Sequence, residues 1–167
     1  RLRPGPARAP GGAVPGPGKG LALWGRDGKP ARNGILSTDN RAYAYADRWR
    51  KDGTEERAFA RSCQHIMACQ PVALLPWLRD HEPEVIPKIR WAFGCKDYVR
   101  FRLTGEARGE LTDCSGAGAV NLHTRQYDPV LLALYGLEDL AEAFPPLCRS
   151  DEFAGDVPRK GGGRRAP

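Results

Sequence analysis

Lys96-Asp97-Tyr98-Val99-Arg100-Phe101-Arg102-Leu103-Thr104-Gly105-Glu106 is the most informative stretch of this 167-residue chain. Lys96 to Leu103 contains neither Gly nor Pro, sets Tyr98, Val99 and Leu103 at helical spacing, and is followed by Gly105, which takes the left-handed conformation that ends a helix. A helix stopping at Gly105 is expected. Just upstream, the apolar run Ile89 to Phe93 reads as a short buried strand, and Pro83 and Pro87 confine the residues before it to a brief turn of helix. Further upstream, Pro71 suits the first position of a helix, and Val72, Leu75 and Leu78 give it a buried stripe that ends near His81.

Toward the N-terminus, Leu21-Ala22-Leu23-Trp24, the turn dipeptide Asp27-Gly28 and Ile35-Leu36 form a β-hairpin pattern, because Asp-Gly accepts the positive φ of a tight primed turn. Thr38 or Asp39 can then cap a helix whose Ala42, Tyr45, Ala46 and Trp49 share a face, with Gly53 as its stop. Thr54-Glu55-Glu56 opens another helix, with acids in the first turn where the helix dipole favours them, running to about His65. Toward the C-terminus, residues 110–123 contain Gly116 and Gly118 among small residues and read as extended. Asp128-Pro129 is an N-cap with Pro behind it, and the helix over Val130 to Tyr135 stops at Gly136. A short helix over 137–144 precedes Pro145-Pro146. The expected fold class is α/β with helix in excess.

Twenty Gly and 15 Pro are many for a globular chain, and they concentrate at the ends. Residues 1–20 carry four bases and no acid, and residues 157–167 do the same. The rest, 21–156, holds 18 bases against all 20 acids, so the overall charge of +6 belongs to the ends. The expected organisation is a disordered Gly/Pro/Arg arm over 1–18, one folded unit over 19–155 and a disordered basic tail over 156–167. A body of net charge −2 argues against a nucleic-acid partner, and the tails lack the interleaved aromatics that stack on bases.

Five cysteines, an odd number with no C-x-x-C, suggest neither a disulfide framework nor a zinc site, which fits a reducing compartment. The three histidines, His65, His81 and His123, are scattered, and no metal site is expected. No apolar run approaches a membrane span and no signal-peptide core opens the chain, so a cytoplasmic protein is expected. There is no P-loop, H-E-x-x-H or G-x-S-x-G. Two polar groups could meet a polyol. Asp39 and Arg41, at a strand-to-helix junction, could make charge-assisted hydrogen bonds to hydroxyls, unless Asp39 only caps the helix. Asp113 could accept two hydroxyl hydrogens, unless it only forms an Asx turn.

From residue 18 to residue 155 the order of motifs resembles the N-terminal lobe of the FGGY carbohydrate kinases, in particular those of the xylulose and L-xylulose kinase type. Lys96 to Glu106 is similar to the family's KDY-x-R-x-x-LTGE segment. Pro71, Leu75, Trp77, Leu78, Asp80 and His81 fit its Pro-to-Trp signature, although Leu74 stands where Lys is usual. Asn33 to Arg41 resembles the ILW-x-D-x-R segment, Thr112 to Ser115 the TD-x-S segment, and Tyr127-Asp128-Pro129 and Pro145-Pro146-Leu147 follow in family order.

The resemblance implies part of an actin-like, ribonuclease H-like lobe and a phosphotransferase that uses ATP and Mg2+ on a pentulose-like sugar. It implies sugar contacts at Asp39, Arg41 and Asp113, with Gln70, in the loop before the Trp77 helix, as a fourth. It also implies parts these residues lack: an Asp-x-Gly-Thr strand upstream of Gly18, a Gly-Gly-x-x-Asp segment with the catalytic Asp beyond Gly155, and the ATP lobe. Pro17 stands where related kinases often place a His between glycines. The expectation is therefore a fragment, inactive alone, with tails translated from a shifted frame and no catalytic residue among the 167. An exposed sheet edge on such a fragment would favour a homo-oligomer. The rival expectations are a binding module whose basic tails engage nucleic acid, and a pseudogene product.

Overall fold

The computed structural model describes residue 16 and residues 18–157. Pro17 and nearly all of the two expected tails lie outside the described residues. Strand β1 (Ala22–Gly25) runs antiparallel to β2 (Ile89–Phe93), with Ala22 opposite Phe93 and Trp24 opposite Trp91. The turn after β1 falls at Asp27-Gly28 but is not the tight primed turn expected: Gly28 takes φ +74° while Asp27 keeps a negative φ, and the Gly25 N–H donates to the Lys29 carbonyl at 2.7 Å across a three-residue loop. The returning arm of the expected hairpin is reduced to two bridges, Leu21 with Ile35 and Trp24 with Pro30. Pro30 has no N–H to give, so a ladder cannot continue through it.

Helix α1 (Tyr43–Lys51) buries Ala46 and Trp49. Its N-cap is Ala42, with no side-chain cap, so neither Thr38 nor Asp39 plays the expected part; Asp39 is held by Arg41 instead. Helix α2 (Thr54–Ser62) starts directly after Gly53, at φ +78°, and ends short of His65 because Cys63 turns left-handed at φ +50°. Helix α3 (Pro71–His81) has the expected bounds and buries Val72, Leu74, Leu75 and Leu78 completely. A 3-10 helix (Pro83–Lys88) leads into β2.

Helix α4 (Cys95–Thr104) stops at Gly105, at φ +79°. Its inward face is not the apolar one expected: Asp97 and Phe101 are buried, whereas Val99 and Leu103 are 40% and 44% exposed. The stretch 110–123, expected to be extended, instead contains β3 (Gly109–Glu110), helix α5 (Leu111–Ser115) and β4 (Val120–Asn121). The reason is Glu110, whose carboxylate accepts the N–H groups of Thr112 and Asp113 and so starts a helix where small residues suggested none.

Strand β4 pairs antiparallel with β5 (Gln126–Tyr127). Helix α6 (Pro129–Leu134) begins with Asp128 accepting the Val130 N–H at 2.8 Å. A 3-10 helix (Glu138–Ala143) follows, and β6 (Leu147–Cys148) closes a parallel pair with β3. The described residues hold three two-stranded sheets, and α3 packs against α1 and the 3-10 helix that follows it. The core packs Trp49 on Tyr135, ring centroids 5.0 Å apart, beside Leu75, Leu78, Leu131 and Leu137. Each such leucine contributes about 2 kcal/mol by leaving water.

Candidate functional site

The densest charged group in the described residues lies where α4, β3 and α5 meet. Lys96 and Asp97 open α4, Arg100 follows one turn later, and Glu110 and Asp113 come from the start of α5. Lys96 Nζ donates to Glu110 Oε2 at 2.8 Å. The Glu110 N–H donates to Asp97 Oδ2 at 3.0 Å, and Arg100 lies 2.9 Å from Asp97 Oδ1, close enough for an ion pair but off the line of a hydrogen bond. Burial would raise the Glu110 carboxyl, but Lys96 and Thr112 outweigh it and hold it down at about 2. Burial also lowers Lys96, and Glu110 and the neighbouring carboxylates more than offset this. Asp97 is pushed up by burial.

Asp113 is the exception in this group. Its side chain is 3% exposed, its Oδ2 has no hydrogen-bond partner, and the nearest cation, Lys96 Nζ, is 4.0 Å away and already engaged by Glu110. Burial, with help from Asp97 and Glu110, pushes its carboxyl up to about 6. Next to it, the Cys114 thiol and the Tyr127 hydroxyl are both driven up by burial. The Tyr127 hydroxyl donates to the Pro145 carbonyl at 3.0 Å.

The other expected contacts stand elsewhere. Asp39 and Arg41 form a two-pronged ion pair, both bonds 2.9 Å, and the Arg41 hydrogen bonds hold the Asp39 carboxyl below its usual range. Arg41 lies over the Trp77 ring, 4.9 Å from its centroid, and 3.7 Å from Glu82, which Arg32 also grips. Gln70 is buried at the start of α3, where its Oε1 accepts the Met67 N–H and its Nε2 donates to the Gly116 carbonyl. Gln70 thus joins α3 to the loop that follows Asp113. Arg41 reaches Trp77 and Glu82, in the last turns of α3 and just past its end, so the Asp113 and Arg41 groups sit toward opposite ends of that helix.

The N-terminal domain of the FGGY family of carbohydrate kinases matches residues 10–162. The chain belongs to the FGGY family of carbohydrate kinases. It is 38% identical over 143 residues to a probable L-xylulose kinase of Pasteurella multocida, covering 86% of this chain and 30% of that protein. To the L-xylulose/3-keto-L-gulonate kinase of Escherichia coli it is 36% identical over 140 residues, 84% of this chain and 28% of that one. The ligand-bound xylulose kinase from Lactobacillus acidophilus superposes with a TM-score of 0.75 at 25% identity, over 83% of this chain and 28% of its own. The Plasmodium falciparum glycerol kinase, at 18% identity and a TM-score of 0.77 over 85% and 29%, shares the fold.

The chain spans less than a third of the length of the curated relatives it matches. Its fold is thus part of the actin-like N-terminal lobe of an FGGY kinase. The expected family and fold are borne out. Lys96, Asp97, Arg100 and Glu110 had no assigned place in a site. Lys96, Asp97 and Arg100 at i, i+1 and i+4, with Glu110 and Asp113 three apart, were a readable signal, because those spacings gather charges on neighbouring turns. No helix in the described residues is long and apolar enough to cross a membrane.

Proposed function

We propose that the protein to which these residues belong transfers a phosphoryl group from ATP, with Mg2+, to a hydroxyl of a pentulose-like sugar. The observation that carries this reading is the similarity, at 38% and 36% identity, to two kinases whose names specify L-xylulose. In this reading Asp113 contacts the sugar, while Asp39, Arg41 and Gln70 shape the cleft through the contacts described above. Among the described residues no group of three or more His, Cys, Asp or Glu side chains could hold a metal ion. They do not fit magnesium by themselves, and in this reading ATP and Mg2+ are held by other parts of the protein.

The test is sugar-dependent ADP formation. The 167 residues alone are expected to form none, and a longer chain carrying them over the full length of the relatives is expected to phosphorylate a pentulose. Turnover by the 167 residues would overturn the first statement, and a longer chain inert toward every pentulose would overturn the second.

A further inference from the structure

A cavity of about 330 Å³ lies between the segment that returns from β1 and the start of α4, lined by Leu21, Ile35, Leu36 and Tyr98 together with Lys19 and Cys95. None of Asp39, Arg41, Gln70 and Asp113 lines it. A space of this size takes a small organic molecule. Its wall is mostly carbon: Leu21 and Ile35 are core side chains that turn one face toward it, and Leu36 is 70% exposed. A concave apolar wall open to water favours a body that displaces that water.

Charge enters this wall at one point. Arg32, which also lines the cavity, is gripped by both oxygens of Glu82, at 2.9 and 3.2 Å. The half-buried Lys19 has no such partner: among the described residues its Nζ reaches the Met67 sulfur and no carboxylate. A thioether is a weak acceptor and does not offset a full charge. The cavity is therefore apolar with one uncompensated positive charge.

We propose that this cavity binds a small organic carboxylate with an apolar body. The carboxylate replaces the Met67 sulfur on Lys19, and the body lies against Leu36 and the Tyr98 ring. Complementarity fixes the class. An amine is repelled by Lys19, a neutral alcohol leaves Lys19 uncompensated, and a sugar acid satisfies Lys19 but brings its hydroxyls to a wall of carbon. The proposal does not depend on the kinase reading.

Cys95 makes the site readable. It and Cys63 are both exposed, and of the two only Cys95 lines the cavity, so a ligand there shields one thiol and not the other. The test alkylates the 167-residue chain with iodoacetamide at neutral pH in the presence of 3-phenylpropanoate and follows both cysteines by peptide mass spectrometry. The acid is expected to slow labelling of Cys95 and to leave Cys63 unchanged. The same shielding is expected to need about tenfold more 3-phenylpropanol, which lacks the charge, and about tenfold more gluconate, which lacks the apolar body. Lys19→Gln is expected to erase the advantage of the acid over the alcohol, and Lys19→Arg to keep it. Leu36→Ser, at an exposed position, is expected to weaken acid and alcohol alike, and circular dichroism checks that each variant is folded. Three results overturn the site: no selective shielding of Cys95 by the acid, equal shielding by the alcohol or by gluconate, or an acid preference that survives Lys19→Gln. The kinase reading is decided separately, by ADP formation in the longer chain.

Discussion

Two carboxylates a few ångströms apart, Asp113 and Glu110, are displaced in opposite directions, and each gives stability a pH dependence of its own sign. Asp113, raised to about 6, binds its proton more tightly folded than unfolded. Its contribution is therefore full below about pH 4 and is lost as pH rises through 6, a loss of about 2–3 kcal/mol. Asp113→Asn is expected to raise the thermal midpoint at pH 7.5 and to give no gain at pH 4, which scanning calorimetry at the two values checks. Glu110, lowered to about 2, does the reverse: its contribution is present above about pH 4.5 and is lost as pH falls toward 2. Glu110→Gln is expected to cost about 1–3 kcal/mol at pH 7 and little at pH 2. Gly118 makes a different point. It sits at φ +90°, and a Cβ there would lie 2.6 Å from Val72 Cγ2, so Gly118→Ala is expected to lose about 2 kcal/mol or more in urea denaturation.

At the scale of the element, the buried Gln70 side chain accepts the Met67 N–H just before α3 and donates to the Gly116 carbonyl, which ties the start of α3 to the loop after α5. Gln70→Leu keeps the bulk and strands both backbone partners. A loss of about 2–3 kcal/mol is expected, with faster amide exchange at Met67 as the specific readout. Helix α3 was legible in the sequence because Pro71 and an apolar stripe agree, and α6 because Asp128 and Pro129 are a preferred opening pair. Helix α5 was not, because its cap is a Glu rather than one of the short capping side chains, and because Gly116 and Gly118 weigh against helix on any local count. The pairing of β1 with β2 joins residues more than 60 positions apart, and no local pattern carries that partnership. The α4 face misled for another reason: Asp97 goes inside because Arg100 and the Glu110 N–H receive it there, which leaves Val99 and Leu103 outside.

For the whole molecule, the order of segments was legible because it follows a family, while the geometry of the candidate site was not. Asp39, Arg41, Gln70 and Asp113 look alike on paper as polar residues near turns. Packing separates them into an ion pair at one end of α3, a buried tether at the other, and a single carboxylate left without a partner. The described chain also enters and leaves along one helix. Gly16 rests against Lys96 at the start of α4, and Gly155 against Thr104 at its end, about 12 Å away along the axis. The unit can therefore be rewired: a Gly/Ser linker of about six to eight residues would join residue 155 back to residue 16. New ends could then be opened at the exposed turn around Gly28, and such a circular permutant is expected to keep the circular dichroism spectrum of its parent.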